Sequence, residues 1–225
     1  MKKVLGVRCQ VLGIGALAVC ALLGGQVAKD ANERYQTPDG RAAIARGLSS
    51  PDRDERQKPR ELVAAMGIKP GMTVADVGTG TGYMLPFLSE AVGRGGRVFG
   101  EDIFPDFLEK ARTTAKDHKL GNVEFIQGTE NDPSLPENGV DVVLALDTYH
   151  HWNYPEKMLA ALHRELRDGG RLVLVEFHKG ANGLPANHIR LEEADVIKEI
   201  EGNHFRLVSQ HEHTKDQYMA IFEKQ

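Results

Sequence analysis

The sequence predicts an α/β fold, an open, doubly wound and mostly parallel sheet with helices on both faces. Three observations predict it. Short apolar runs alternate with helical stretches from Val74 onward, the rhythm of a parallel sheet. The first run ends in an acid and passes straight into three alternating glycines, Val74-Ala-Asp-Val-Gly-Thr-Gly-Thr-Gly-Tyr83. The last two runs, His204 to His211 and Gln217 to Phe222, are separated by a short polar connection, Thr214-Lys-Asp216. Such a connection demands an antiparallel pair, because parallel strands need a long crossover.

Each element has its own justification. A helix over Pro59 to Met66 precedes the first strand: Pro59 suits a first turn and Gly67 ends it. After the first strand, Gly78, Gly80 and Gly82 permit backbone angles closed to other residues and let a ligand lie against the main chain. The helix that should start near Tyr83 offers unpaired N–H groups and a partial positive charge. The second strand, within Arg97-Val-Phe-Gly-Glu-Asp-Ile-Phe-Pro-Asp106, also ends in acid. It lies about 20 residues past the glycines, where a carboxylate can accept from ribose hydroxyls. The third strand, Asn122 to Thr129, ends in a Gly-Thr-Glu turn. The fourth, Val140 to Asp147, is nearly continuous apolar sequence, as a strand buried on both faces requires. Helices over Glu156 to Arg167 and Leu191 to Glu201 flank a fifth strand that reaches Glu176.

The glycine spacing separates cofactors. A dinucleotide fold carries G-x-G-x-x-G. Here the run is D-x-G-x-G-x-G, with Asp76 leading, and it resembles motif I of the class I S-adenosylmethionine (SAM)-dependent methyltransferases. The second acidic strand end is similar to that family's GxDxSP pattern, and Asp168-Gly-Gly-Arg-Leu-Val-Leu-Val-Glu176 to its L-K-P-G-G-x-L-x-x-x-E signature. Arg167-Asp168 replaces the usual Lys-Pro. The resemblance runs from Arg60 to the end of the chain. It implies a three-layer sandwich around seven strands, the last inserted antiparallel between the fifth and sixth, with SAM as cofactor. It also implies a cofactor set of Asp76, Gly78, Thr79, Gly80, Gly82, Tyr83, Asp102, Ile103, Gly128, Thr129 and Asp147. Asp102 becomes the ribose ligand, with the adjacent Glu101 as second candidate. Gly128 and Thr129 stand where the family contacts adenine, although Thr129 is followed by Glu130 where many relatives have aspartate directly after the glycine.

SAM carries its methyl on a sulfonium, so cofactor chemistry supplies electrophile and leaving group together. The protein must align an acceptor and exclude water, and a base is needed only if the acceptor is protonated. Candidates follow the fourth strand: Tyr149, His150, His151 and Trp152. His150 and His151 are the expected catalytic residues, since an imidazole can take a proton or hold a substrate. Packing at a strand end is the plain alternative. The loop Lys179 to Arg190 should border the acceptor pocket, where His188 and Arg190 could meet a polar acceptor. No metal is expected: no histidine pair has close helical spacing and no cysteine lies near. Mg²⁺ beside Asp147, as in relatives acting on catechols, is disfavoured against a cofactor contact.

Composition narrows the classes. Of 225 residues, 41% are hydrophobic and 27% charged, enough for one domain with a sizeable core. Net charge of −4 and a pI near 6.1 give no nucleic-acid surface. Arg53, Arg56, Lys58 and Arg60 alternate with Asp52, Asp54 and Glu55, a solvated, lid-like segment. Lys2, Lys3 and Arg8 precede an apolar run from Val11 to Leu23 and small residues to Ala28, the layout of a secretory signal. That run is shorter than the roughly 20 apolar residues of a membrane span. The expected organisation is a signal peptide or membrane anchor over 1–28, a helical lid over 29–58 and a SAM-binding domain over 59–225. The protein should then be exported, periplasmic or membrane-anchored. Both cysteines, Cys9 and Cys20, fall in the leader, so the domain itself has no thiol chemistry.

The expected function is SAM-dependent methyl transfer to a small molecule, with no nucleic-acid partner. A non-catalytic protein that keeps the fold and binds SAM or a nucleoside is the alternative. A nicotinamide-dependent reductase is disfavoured by the glycine spacing and the terminal hairpin. Neither an Asn-Pro-Pro-Tyr tetrad nor a domain cysteine is present, which subtracts amide nitrogen and pyrimidine carbon chemistry.

Overall fold

The computed structural model describes residues 26–181 and 183–225. The expected leader lies outside them except for its last three residues. A seven-stranded sheet forms the centre, built from β1 (Thr73–Val77), β2 (Arg97–Asp102), β3 (Val123–Gln127), β4 (Val140–Leu146), β5 (Leu166–Phe177), β6 (Phe205–Thr214) and β7 (Gln217–Lys224). Its order is β3-β2-β1-β4-β5-β7-β6. β1 pairs in parallel with β2 and β4, while β7 runs antiparallel to both β5 and β6. The strand expected to insert last does so between the fifth and sixth.

The two-residue period of the strands divides the core into two layers. Val74, Val142, Leu144, Val173, Val175, Met219 and Ile221 point to one face, under α3 (Pro59–Ala65), α4 (Leu85–Val92) and α5 (Pro105–Asp117). Ala75, Val77, Val143, Ala145, Leu172, Leu174, Tyr218, Ala220 and Phe222 point to the other. There α6 (Pro155–Glu165) and α7 (Glu193–Glu201) cover them. β4 and β5 are apolar on both sides because both sides are covered.

Some helix boundaries differ from the sequence expectation: α3 ends at Ala65 instead of Met66, and α7 begins at Glu193 instead of Leu191. α6 ends at Glu165 instead of Arg167, since Leu166 already pairs with Val140 in the sheet. α4 begins at Leu85 instead of Tyr83, with Pro86 in its first turn. Ahead of α3 lie a 3-10 turn over Glu33–Gln36, α1 (Pro38–Leu48) and α2 (Arg53–Gln57). Thr37 caps α1, its hydroxyl accepting from the Gly40 amide at 3.1 Å. The chain winds outward from β1 to β3 and then returns to β4, so the sheet order reverses between β1 and β4. A crevice opens outside the carboxyl ends of the strands at that reversal.

Candidate active site

The glycine turn after β1 is held by acids from two strands. Asp76 is buried on β1, and the Thr79 hydroxyl donates to its Oδ2 at 2.7 Å. The Thr79 amide donates to the Glu101 carbonyl at 2.7 Å, and the Gly78 amide to Glu101 Oε2 at 3.3 Å. Gly78 has φ +75°, and a Cβ there would collide with the Thr148 side chain, so only glycine fits this strand-to-loop crossing. Burial pushes the Asp76 carboxyl up to about 6, against the pull of the Thr79 hydroxyl and Arg53.

The end of β2 presents two buried acids. Asp102 accepts from the Phe104 amide at Oδ1 (2.9 Å) and from the Gly80 amide at Oδ2 (3.0 Å). Burial raises its pKa to about 6, opposed by those two N–H groups. Glu101 is buried and its Oε1 has no partner among the described residues. Burial, with the charge of Asp102 beside it, holds its carboxyl well above the usual range.

The end of β4 turns sharply. Asp147 sits at φ +52°, a left-handed conformation uncommon outside glycine and found at functional sites. Two amides fix it: Gln57 Nε2 donates to Oδ2 and Gln217 Nε2 to Oδ1, each at 2.6 Å. Its pKa rises to about 6 through burial and the nearby charge of Glu176. A 3-10 turn over Tyr149–His151 then sends consecutive histidines to different places. His150 is buried against Glu176, with Nδ1 2.8 and 2.9 Å from the two carboxylate oxygens. Burial would lower its pKa, but the Glu176 charge and hydrogen bond outweigh this and raise it. His151 faces the crevice, with Nδ1 2.9 Å from Asn32 Oδ1 and Nε2 3.4 Å from the Tyr35 hydroxyl. Burial, then the neighbouring His150 and His188, keep its pKa well below the imidazole value. His151 is therefore neutral near pH 7, a hydrogen-bonding group and a weak base.

One cavity joins these pieces. Gly78, Thr79, Gly80, Asp102, Ile103, Thr129, Asp147 and His151 all line it. Asp76, Gly82, Tyr83, Gly128 and His150 are not among its lining residues, and Tyr83 instead lines a separate depression with Phe87. Its roof comes from the segment ahead of α3: Asn32, Tyr35, Leu48 and Arg53. The Tyr35 ring stacks on Phe104 at 5.7 Å and meets His151 edge-on at 4.7 Å. Arg41 ties α1 to α5 through Asp106 at 2.8 Å. Among the described residues the acidic and basic lining is Glu101, Asp102, Glu130 and Asp147 against Arg53 alone. Such a wall favours a cation over a pyrophosphate. Sequence reading had no hold on Tyr35, Asn32, Gln57 and Gln217, none of which lies in a recognisable motif. Glu176 ends the fifth-strand signature, and that terminal acid was the available sign.

Comparison with known proteins decides the family. A family model described as Methyltransferase domain matches residues 68–225. The chain belongs to the class I SAM-dependent methyltransferases. A crystal structure of a SAM-dependent methyltransferase from Aquifex aeolicus is 30% identical, with a TM-score of 0.77, covering 81% of this chain and 97% of that one. The ubiquinone/menaquinone biosynthesis C-methyltransferase UbiE of Hahella chejuensis is 33% identical over 124 residues, 55% of this chain and 50% of that protein. UbiE of Shewanella sp. (strain ANA-3) is 31% identical over 121 residues, 53% and 48% respectively. The chain spans about half the length of the curated relatives it matches. The methyltransferase domain and its fold imply SAM as the cofactor.

Proposed function

We propose that this methyltransferase binds SAM along the carboxyl ends of β1, β2 and β4 and passes its methyl to an acceptor approaching beside His151, with residues 29–58 closing over the cofactor. The observation that carries this reading is the donor and acceptor set of the cavity. Each Asp102 oxygen spends one lone pair on a backbone N–H, which leaves one on each for two neighbouring ribose hydroxyls. Ile103 and Phe104 offer an apolar face to a flat base. The wall's surplus of carboxylates suits the sulfonium and ammonium of SAM. When bound, SAM supplies the methyl and the leaving group. His151 and the Tyr35 hydroxyl then hold the acceptor side, and the roof keeps water out. The names of the curated relatives make a quinone-type ring carbon the first acceptor class to screen.

Calorimetric titration of the folded protein with SAM and with its demethylated product tests this. A single site should appear with both ligands. Asp102→Ala removes two hydrogen bonds to a charged group and should weaken binding roughly 100-fold. Tyr35→Ala should cost about tenfold through its lost aromatic contacts. A folded protein that binds neither ligand would sink the reading.

We also infer that residues 1–28 export the protein or hold it at a membrane. The support is their charged-then-apolar layout. No helix among the described residues is long and apolar enough to cross a membrane. Cell fractionation should place the protein outside the cytosol; recovery in the cytosolic fraction with Met1 still at its N-terminus would overturn this.

A further inference from the structure

Beside the cavity, three histidines from two separate loops converge. His150 and His151 follow β4, and His188 comes from the loop between β5 and α7. Their ring centroids are 4.0 Å (150–151), 4.8 Å (150–188) and 5.6 Å (151–188) apart. One ring nitrogen of each lies within 4.8 Å of the other two. A tetrahedral ion with Zn–N distances of about 2.0–2.1 Å needs nitrogens roughly 3.3 Å apart, which small side-chain rotations would reach.

The surroundings are those of ligands held in place. Glu176 takes His150 Nδ1 with both oxygens and its backbone amide with one (3.1 Å), which leaves Nε2 to point elsewhere. A carboxylate on the far nitrogen is the usual support of a ligating histidine, fixing its tautomer and ring orientation. Asn32 does the same for His151 at Nδ1, leaving at Nε2 only the long 3.4 Å contact to Tyr35. Among the described residues neither His150 Nε2 nor the ring of His188 makes a hydrogen bond. Three buried or half-buried imidazoles packed at tilted to edge-on angles, with two free of partners on their shared side, are hard to account for as packing alone.

We propose that His150, His151 and His188 form a three-histidine site for a divalent transition-metal ion of the zinc class, with Glu176 and Asn32 as supporting residues. Imidazole suits zinc, copper, iron and nickel, and hard ions such as Mg²⁺ prefer oxygen. Three protein ligands leave a position open, the arrangement of catalytic and not structural zinc. His151 belongs to both places, since its ring also lines the cofactor cavity. An ion bound here would offer its open position to an acceptor oxygen, nitrogen or sulfur beside that cavity. The inference stands on the histidines alone and holds whether or not the methyl-transfer reading of the cavity does.

A second group, His178, Glu193 and Glu212, supplies the control. There His178 already faces Glu212 at 2.9 Å and Glu193 at 3.5 Å, as an ordinary imidazole–carboxylate cluster does. The test is zinc binding by the full chain carrying Cys9→Ser and Cys20→Ser, stripped with a chelator and then dialysed against Zn²⁺. One equivalent per chain is expected. His188→Ala, in a half-exposed loop, should weaken it at least 100-fold, and Glu176→Gln about 10- to 100-fold. His178→Ala should leave it unchanged. Co²⁺ in place of Zn²⁺ should give the intense visible bands of a low-symmetry four-coordinate site, absent in His188→Ala. Folded protein that binds no stoichiometric zinc, or binds it equally as His188→Ala, or loses it instead in His178→Ala, overturns the proposal.

Discussion

Glu101 and Gly128 illustrate how one residue sets the identity of another across the sheet. The β2 end places the Glu101 carboxyl under the β3 turn, and Oε1 occupies the space a side chain at 128 would fill. Gly128 is not at a positive φ, so its requirement is room and not backbone freedom. Gly128→Ala must displace a buried carboxyl oxygen that already lacks a partner, and should cost about 1–3 kcal/mol. Thermal unfolding would show it as a midpoint several degrees lower, at about 2–4 °C for each kcal/mol in a protein of this size. An unchanged midpoint would mean that Glu101 swings aside freely, and the same buried acid could then not be fixing the Gly78 amide. The sequence makes this pair look like a ribose acid's neighbour and an adenine-side glycine. Only the packing shows that they are one unit.

At the level of elements, what could be read in advance was whatever a short stretch encodes by itself. Each acid-ended strand announces its own place, because the apolar run, the acid and the turn residues are consecutive. Asp102, Thr79, Gly80 and Asp147 reach the cavity for that reason. The contributions that were not legible all arrive from a distance. Gln217 begins β7 and meets Asp147 only because that strand inserts beside β5. Gln57 reaches the same carboxylate from the end of α2, and His213 of β6 in turn holds the Gln57 carbonyl at 2.8 Å. Tyr35 and Asn32 lie in polar sequence with no periodicity and gain meaning from the faces of Phe104 and His151. The two consecutive histidines are the sharpest case. A 3-10 turn gives one to Glu176 and the other to the cavity, and nothing in a His-His pair says which is which. Their convergence with His188 depends on a loop after β5, whose course is set by tertiary packing and not by local pattern.

The molecule as a whole collects negative charge at one edge. Net charge is only −4, yet the carboxyl ends of β1, β2, β4 and β5 carry Asp76, Glu101, Asp102, Asp147 and Glu176 within one region. The sheet topology forces this, since parallel strands end on the same side and the order reverses there. Without ligand these groups crowd one another away from water, and Asp76, Asp102 and Asp147 titrate near 6. A bound cation reverses the balance by favouring their ionised forms. SAM carries a sulfonium charge that its demethylated product lacks, so the two ligands should differ in the protons they expel. Near pH 6 a group of that pKa is half protonated and can release up to about half a proton, so SAM should release more than the product does. By linkage the preference for SAM over product should grow as pH rises from about 5 to 7 and flatten above, once the carboxyls are ionised without help. Calorimetry in two buffers of different ionisation enthalpy measures the difference directly. Equal proton release by both ligands would mean that the sulfonium lies beyond the reach of these acids, and that the charged edge serves the fold and not the choice between cofactor and product.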